Sequence, residues 1–197
     1  MAKRTLDPKD FTKGTFKKTG SVREPLLIDG TLSCGGKAAS EFTRLHAPCL
    51  VQGTLNAENT HFEMGLQVQG HAWLDDCKVN GQSAIAGQFK AKETAFKEQL
   101  TTMQGSKVTM EHCRAKDIRI EEAPMRYKWM AWLARWLGRA RIILEDSTIH
   151  HVFTSGKAYG LIVLSGQSKI LGRVSPQVTV IDRRPKAVRL AEKKAAG

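Results

Sequence analysis

The sequence predicts an all-β chain, a right-handed parallel β-helix (β-solenoid) built from coils of about 17 residues and interrupted by one amphipathic α-helix. Three observations carry this expectation. Between Val51 and Thr101 the chain repeats itself every 17 residues, as Val51-Gln-Gly-Thr-Leu-Asn-Ala, Val68-Gln-Gly-His-Ala-Trp-Leu and Ile85-Ala-Gly-Gln-Phe-Lys-Ala. Within each copy the first, fifth and seventh places are apolar, as in a strand with one buried face, and the twelfth is apolar again, as Phe62, Val79 and Phe96. Glycine holds the third place of every copy. A unit too short for two helices, with period-two runs and a fixed glycine, is one coil of a solenoid. Stacking then buries columns such as Leu55/Ala72/Phe89 and Phe62/Val79/Phe96, with parallel strands about 4.8 Å apart.

The thirteenth place selects the kind of coil. A left-handed coil of hexapeptides would turn Glu63, Asn80 and Lys97 inward, each unpaired at a cost of about 1–3 kcal/mol or more. A right-handed coil with less regular turns is therefore expected.

In chain order, residues 1–26 hold seven basic and three acidic side chains, and Leu6, Phe11, Phe16 and Val22 fit neither period, so a flexible basic arm is expected. Leu26 to Cys34 repeats the coil with Gly30 in the place of Gly53, 23 residues ahead of it. The longer interval predicts that Gly35 to Pro48 bulges out, as a longer turn or as a short helix around Ala38–Leu45 that caps the open end of the stack. Met103–Met110 begins a further copy with one residue inserted, and Ile118 and Ile120 end it. Coils resume at Arg141, through Ile142–Leu144, Thr148-Ile149, Leu161–Gly166 and Ser168–Val174, with Val178–Asp182 as the last strand. The domain expected is thus 27–182, of about six or seven coils, with a helix inserted at 124–140 and a basic tail at 183–197.

In the insertion Trp129, Trp132, Leu133, Trp136, Leu137 and Ala140 share one helical face, with Lys128, Arg135 and Arg139 along its flank. Three of the four tryptophans of the chain lie here. Three readings fit: packing back on the solenoid, an interfacial membrane helix, since tryptophan beside lysine and arginine suits the headgroup layer, or docking into a protein partner. Lys128, Trp129, Trp132, Leu133, Arg135, Trp136, Leu137 and Arg139 are the candidate membrane- or partner-binding residues.

The net charge is +12. Residues 1–26 carry +4, 124–141 carry +5 and 183–197 carry +5, so the presumed coils are nearly neutral and show no basic stripe with interleaved aromatics. Cys34, Cys49, Cys77 and Cys113 form no CxxC and no pairing with histidine, and are expected as buried free thiols in a reducing compartment. The first 25 residues resemble no signal sequence and no stretch is apolar enough to span a bilayer, so a cytoplasmic protein, peripheral at an inner membrane, is expected.

No catalytic residue, cofactor or metal is expected. Asp75-Asp76 reads as a solvated corner, His150 and His151 as strand neighbours facing opposite ways, and His112-Cys113 as sharing that fault for a nucleophile and its base. No glycine-rich phosphate loop is present.

The Val51-Gln-Gly, Val68-Gln-Gly and Ile85-Ala-Gly coils, their 17-residue interval and the basic tails resemble the bactofilins, polymer-forming cytoskeletal proteins of bacteria. The resemblance covers roughly Leu27–Thr109 and, less fully, Ile142–Asp182; the insertion and the long first interval depart from it. It implies a right-handed β-helix that joins end to end without nucleotide, often at the inner face of the membrane. The function expected is a non-catalytic scaffold that self-assembles or docks into a larger assembly, with an anionic membrane surface as a further partner and no small-molecule substrate. A nucleic-acid-binding protein using basic arms is the alternative, ahead of a carbohydrate-active β-helix enzyme.

Overall fold

The 17-residue register becomes a parallel β-solenoid of about nine turns, more than the repeat count predicts, with successive turns about 18 residues apart. This computed structural model describes residues 11–122 and 138–195. One stack of strands comprises β1 (Thr12–Lys18), β3 (Leu26–Gly35), β5 (Cys49–Glu58), β7 (Leu66–Asp75), β9 (Ser83–Lys92), β11 (Lys107–Glu111), β13 (Ala140–Glu145), β15 (Gly160–Ser165) and β17 (Val178–Asp182). The other comprises β2 (Gly20–Val22), β4 (Thr43–Leu45), β6 (Thr60–Phe62), β8 (Lys78–Val79), β10 (Ala95–Met103), β12 (Arg114–Glu121), β14 (Thr148–Thr154) and β16 (Lys169–Ile170). Every strand pairs in parallel with the strand one coil away.

The expected columns are present. Leu55, Ala72 and Phe89 lie in register and continue through Val108, Ile142 and Ile162. Phe62, Val79 and Phe96 do the same and continue through Ala115 and Ile149. All of these side chains are buried.

Glycine holds the third place for a steric reason. Gly30, Gly53, Gly70 and Gly87 stack with φ between 120 and 142°, a region costly for residues with a Cβ. A Cβ added at Gly53 would also strike the Gly30 carbonyl oxygen of the preceding coil.

Two departures concern the amino-terminal region. Of the arm expected at 1–26, the part from Thr12 on enters the stack, because Thr12–Lys18 pairs with Ile28–Cys34 and Gly14 continues the glycine column under Gly30. A terminal coil has a neighbour on one side only, so its inward places tolerate Thr12 and Lys18 and the apolar pattern fades. The helix expected around Ala38–Leu45 is a single 3-10 turn at Ala39–Glu41, and Thr43–Leu45 is a strand between β2 and β6. The segment is a bulge inside the stack and not a cap.

The expected helix 124–140 falls mostly outside the described residues. Its last residue is corrected: Ala140 opens β13 and is fully buried, paired with Gly160. Lys186–Ala195 of the basic tail forms helix α1.

Candidate interaction surfaces

Among the described residues, five coils turn a sharp corner at a non-glycine residue in the left-handed region: Asn59, Asp76, Glu93, His112 and Asp146, with φ of 47–52°. The short polar side chains of Asn and Asp tolerate that conformation best. The next residue is a buried Thr, Cys or Ser, and its side chain closes the corner. Thr60, Thr94 and Ser147 hydroxyls donate to the carbonyls of Glu58, Lys92 and Glu145 at 2.8–2.9 Å. The Thr94 and Ser147 oxygens also accept from the Cys77 and Cys113 N–H groups of the preceding coil, at 3.4 and 3.0 Å. The Cys77 and Cys113 thiols donate to Asp75 and Glu111 carbonyls at 3.2 Å, taking the hydroxyl's role.

All four cysteines are buried and unbridged. Burial pushes the Cys34 and Cys77 thiols up to about 12 and Cys113 to about 11, which keeps them protonated and poorly nucleophilic. Cys49 moves the same way for the same reason. Among the described residues no group of three or more His, Cys, Asp or Glu is placed to hold a metal ion.

His150 and His151 differ from expectation. β14 turns between the buried Ile149 and Val152, so both rings lie outside, 6.5 Å between centroids. His151 stacks on Phe153 at 5.5 Å, and its Nδ1 accepts from the Arg173 N–H at 2.9 Å.

Stacking also segregates charge, which the nearly neutral coils conceal. After each corner comes a triplet whose outer residue faces solvent: Thr43-Arg-Leu45, Thr60-His-Phe62, Cys77-Lys-Val79, Thr94-Ala-Phe96, Cys113-Arg-Ala115, Ser147-Thr-Ile149 and Ser168-Lys-Ile170. Register places Arg44, His61, Lys78, Ala95, Arg114, Thr148 and Lys169 in one column. One position past each triplet, a second column holds His46, Glu63, Asn80, Lys97, Lys116, His150 and Leu171. The strip therefore bears six Lys or Arg against Glu63 and the exposed Glu98, which shares the β10 bulge with Lys97. The Asn80 amide donates to Glu63 at 2.8 Å, and this bond, with nearby His61 and Arg44, lowers its pKa.

The corner beside the strip is acidic. Asp76, Glu93 and Asp146 are exposed there, with Asp75, Glu111 and Glu145 just before the turn. Between glycine and corner, Trp73 points outward, 53% exposed, between Asn56 and Lys90. A groove of about 280 Å³ beside it is lined by Lys37, Asn56, Glu58 and Asp75.

No basic stripe with interleaved aromatics was expected on the coils; the strip is basic, and its two columns hold no Phe, Tyr or Trp. The triplets are legible in the sequence, but loops of unequal length hide which of their outer residues align until the register is known. Of the residues expected to meet a membrane or partner, Arg139 is exposed just before β13. Lys128, Trp129, Trp132, Leu133, Arg135, Trp136 and Leu137 lie outside the described residues.

The ends of the stack are open among the described residues: β1 pairs only with β3, and β17 only with β15. Val180, which ends the column of Ile142 and Ile162, is 41% exposed, and its neighbour Ile181 is 38% exposed. The next column ends in charge, with Lys18 at one end and Asp182 at the other. Arg184 clamps Asp182 through Nε and Nη2 at 3.0 and 2.8 Å and donates to the Ser168 carbonyl at 3.0 Å. Comparison of the chain with protein-family models, with curated proteins and with solved structures finds no match in any of the three.

Proposed function

We propose that this chain is a non-catalytic structural scaffold, a bactofilin-like β-solenoid that assembles through its ends. The observation that supports this reading is the last strand: β17 offers an unpaired edge among the described residues, with Val180 and Ile181 exposed beside it. An open strand edge with apolar side chains is a template for another strand, and a parallel solenoid continues its own column spacing wherever a second copy docks. Arg184 and Asp182 would set the position of that contact by charge. Contact with an anionic membrane or a protein partner is assigned to the insertion, on the Trp129, Trp132 and Trp136 pattern of its sequence.

The experiment is sedimentation velocity with negative-stain electron microscopy of the wild type and of a Val180→Lys, Ile181→Lys double variant. The wild type should form filaments or higher oligomers without nucleotide. The variant should remain monomeric with an unchanged far-ultraviolet spectrum. A wild type that stays monomeric at high concentration would sink the reading.

A further inference from the structure

We infer that the basic strip following the left-handed corners is a binding surface for the phosphate backbone of duplex nucleic acid. It is independent of the scaffold reading. Lys78, Arg114, Lys169, Lys97 and Lys116 are exposed, and none forms an ion pair among the described residues. From Arg44 to Lys169 the column crosses seven strands, a length of about 29 Å at about 4.8 Å per coil. That is a little under one turn of duplex, which presents a charge about every 1.7 Å of its axis. Arg44, Lys78, Arg114 and Lys169 in this column, with Lys97 and Lys116 beside it, therefore offer up to six cations to the phosphates on a backbone already fixed by the ladder.

Three competing occupants fit less well. A membrane is a plane, and pressing it on the strip would bring headgroup phosphates against the exposed Asp76, Glu93 and Asp146 of the adjoining corner; a rod avoids that ridge. Single strands are held largely by bases stacked on aromatic side chains, and the two columns hold no Phe, Tyr or Trp, only the imidazoles of His46, His61 and His150. A second copy laid side by side on the strip would offer it only the acidic corner, which that copy's own basic strip adjoins, so cations would face cations along the same contact. The strip contacts phosphates without reading base edges, so binding is independent of sequence and strongly dependent on salt.

The test compares two triple variants of the full chain that each remove three positive charges. Lys78→Gln, Arg114→Gln, Lys169→Gln strips the column; Lys90→Gln, Lys107→Gln, Arg141→Gln removes exposed cations from the strip between glycine and corner. Fluorescence anisotropy with a labelled 30-base-pair duplex is followed across salt concentration. The first variant should lose about 2.7 from the slope of log K against log salt, and about two orders of magnitude in affinity at 0.1 M salt. The second should keep the wild-type slope to within about one. A Lys97→Gln, Lys116→Gln variant, with about two-thirds of the slope loss, serves if the first triple does not fold. Equal losses in both triples would assign binding to overall charge and overturn the proposal. So would tighter binding of a single strand of equal length, or column-dependent binding of phosphatidylserine vesicles without column-dependent binding of duplex. Filament formation is read separately by microscopy, so failure of the scaffold reading leaves this result intact.

Discussion

Phe89 shows what one residue contributes to such a stack. It is 2% exposed, sits in register between Ala72 and Val108, and meets Phe96 edge to face at 5.8 Å. Aspartate there would place an unpaired carboxylate between two coils, with no donor to satisfy it. A Phe89→Asp chain should show no cooperative thermal transition by circular dichroism, whereas Phe89→Ala should fold with a loss of about 3–5 kcal/mol. A soluble, folded Phe89→Asp protein would contradict the column. Asp182 offers a residue-scale test by pH. Hydrogen bonds from Arg184 hold its carboxyl at about 2, below its ordinary 3.8. A depressed folded-state pKa stabilises above the ordinary value, and that contribution is lost as pH falls from about 4 towards about 2. The melting temperature of Arg184→Gln should therefore fall less steeply than wild type across that window; parallel curves would show that the clamp stabilises nothing.

At the scale of the element, the corner explains why a buried column can be polar. Thr94 and Ser147 there each donate to a carbonyl two residues back and accept an N–H from the preceding coil, so both faces of the buried hydroxyl are used. Ser147→Ala strands the Cys113 N–H and should cost about 1–3 kcal/mol in denaturant unfolding. Ser147→Thr should recover most of it, since Thr60 and Thr94 fill the same place. If Ser147→Ala were as stable as wild type, the ladder would be dispensable. The same scale explains the strand that escaped notice. Thr12–Lys18 shows Gly14-Thr-Phe16, the counterpart of Gly30-Thr-Leu32 and Gly53-Thr-Leu55. Its remaining inward places are Thr12 and Lys18, so hydrophobic alternation, the usual mark of a strand, is missing. The insertion's helical periodicity was plain in the sequence only because its face needs no distant partner to be recognised.

For the whole molecule, coils touch only their neighbours, which makes stability nearly one-dimensional. β5, β7 and β9 have paired coils on both sides, while β1 and β17 have one. Amide hydrogen exchange should be slowest in those central strands and quicken towards both ends, and uniform protection would point to a capped or assembled stack. On this scale the sequence alone determined the solenoid and its apolar columns, because alternation along a strand and recurrence at 17 residues are local properties that each copy states for itself. The tertiary structure alone decided where charge gathers. Arg44, Lys78, Arg114 and Lys169 stand 34, 36 and 55 residues apart, intervals with no period of their own. Loops of unequal length separate them, and only the hydrogen-bonded register of stacked coils brings them into one line beside an acidic corner.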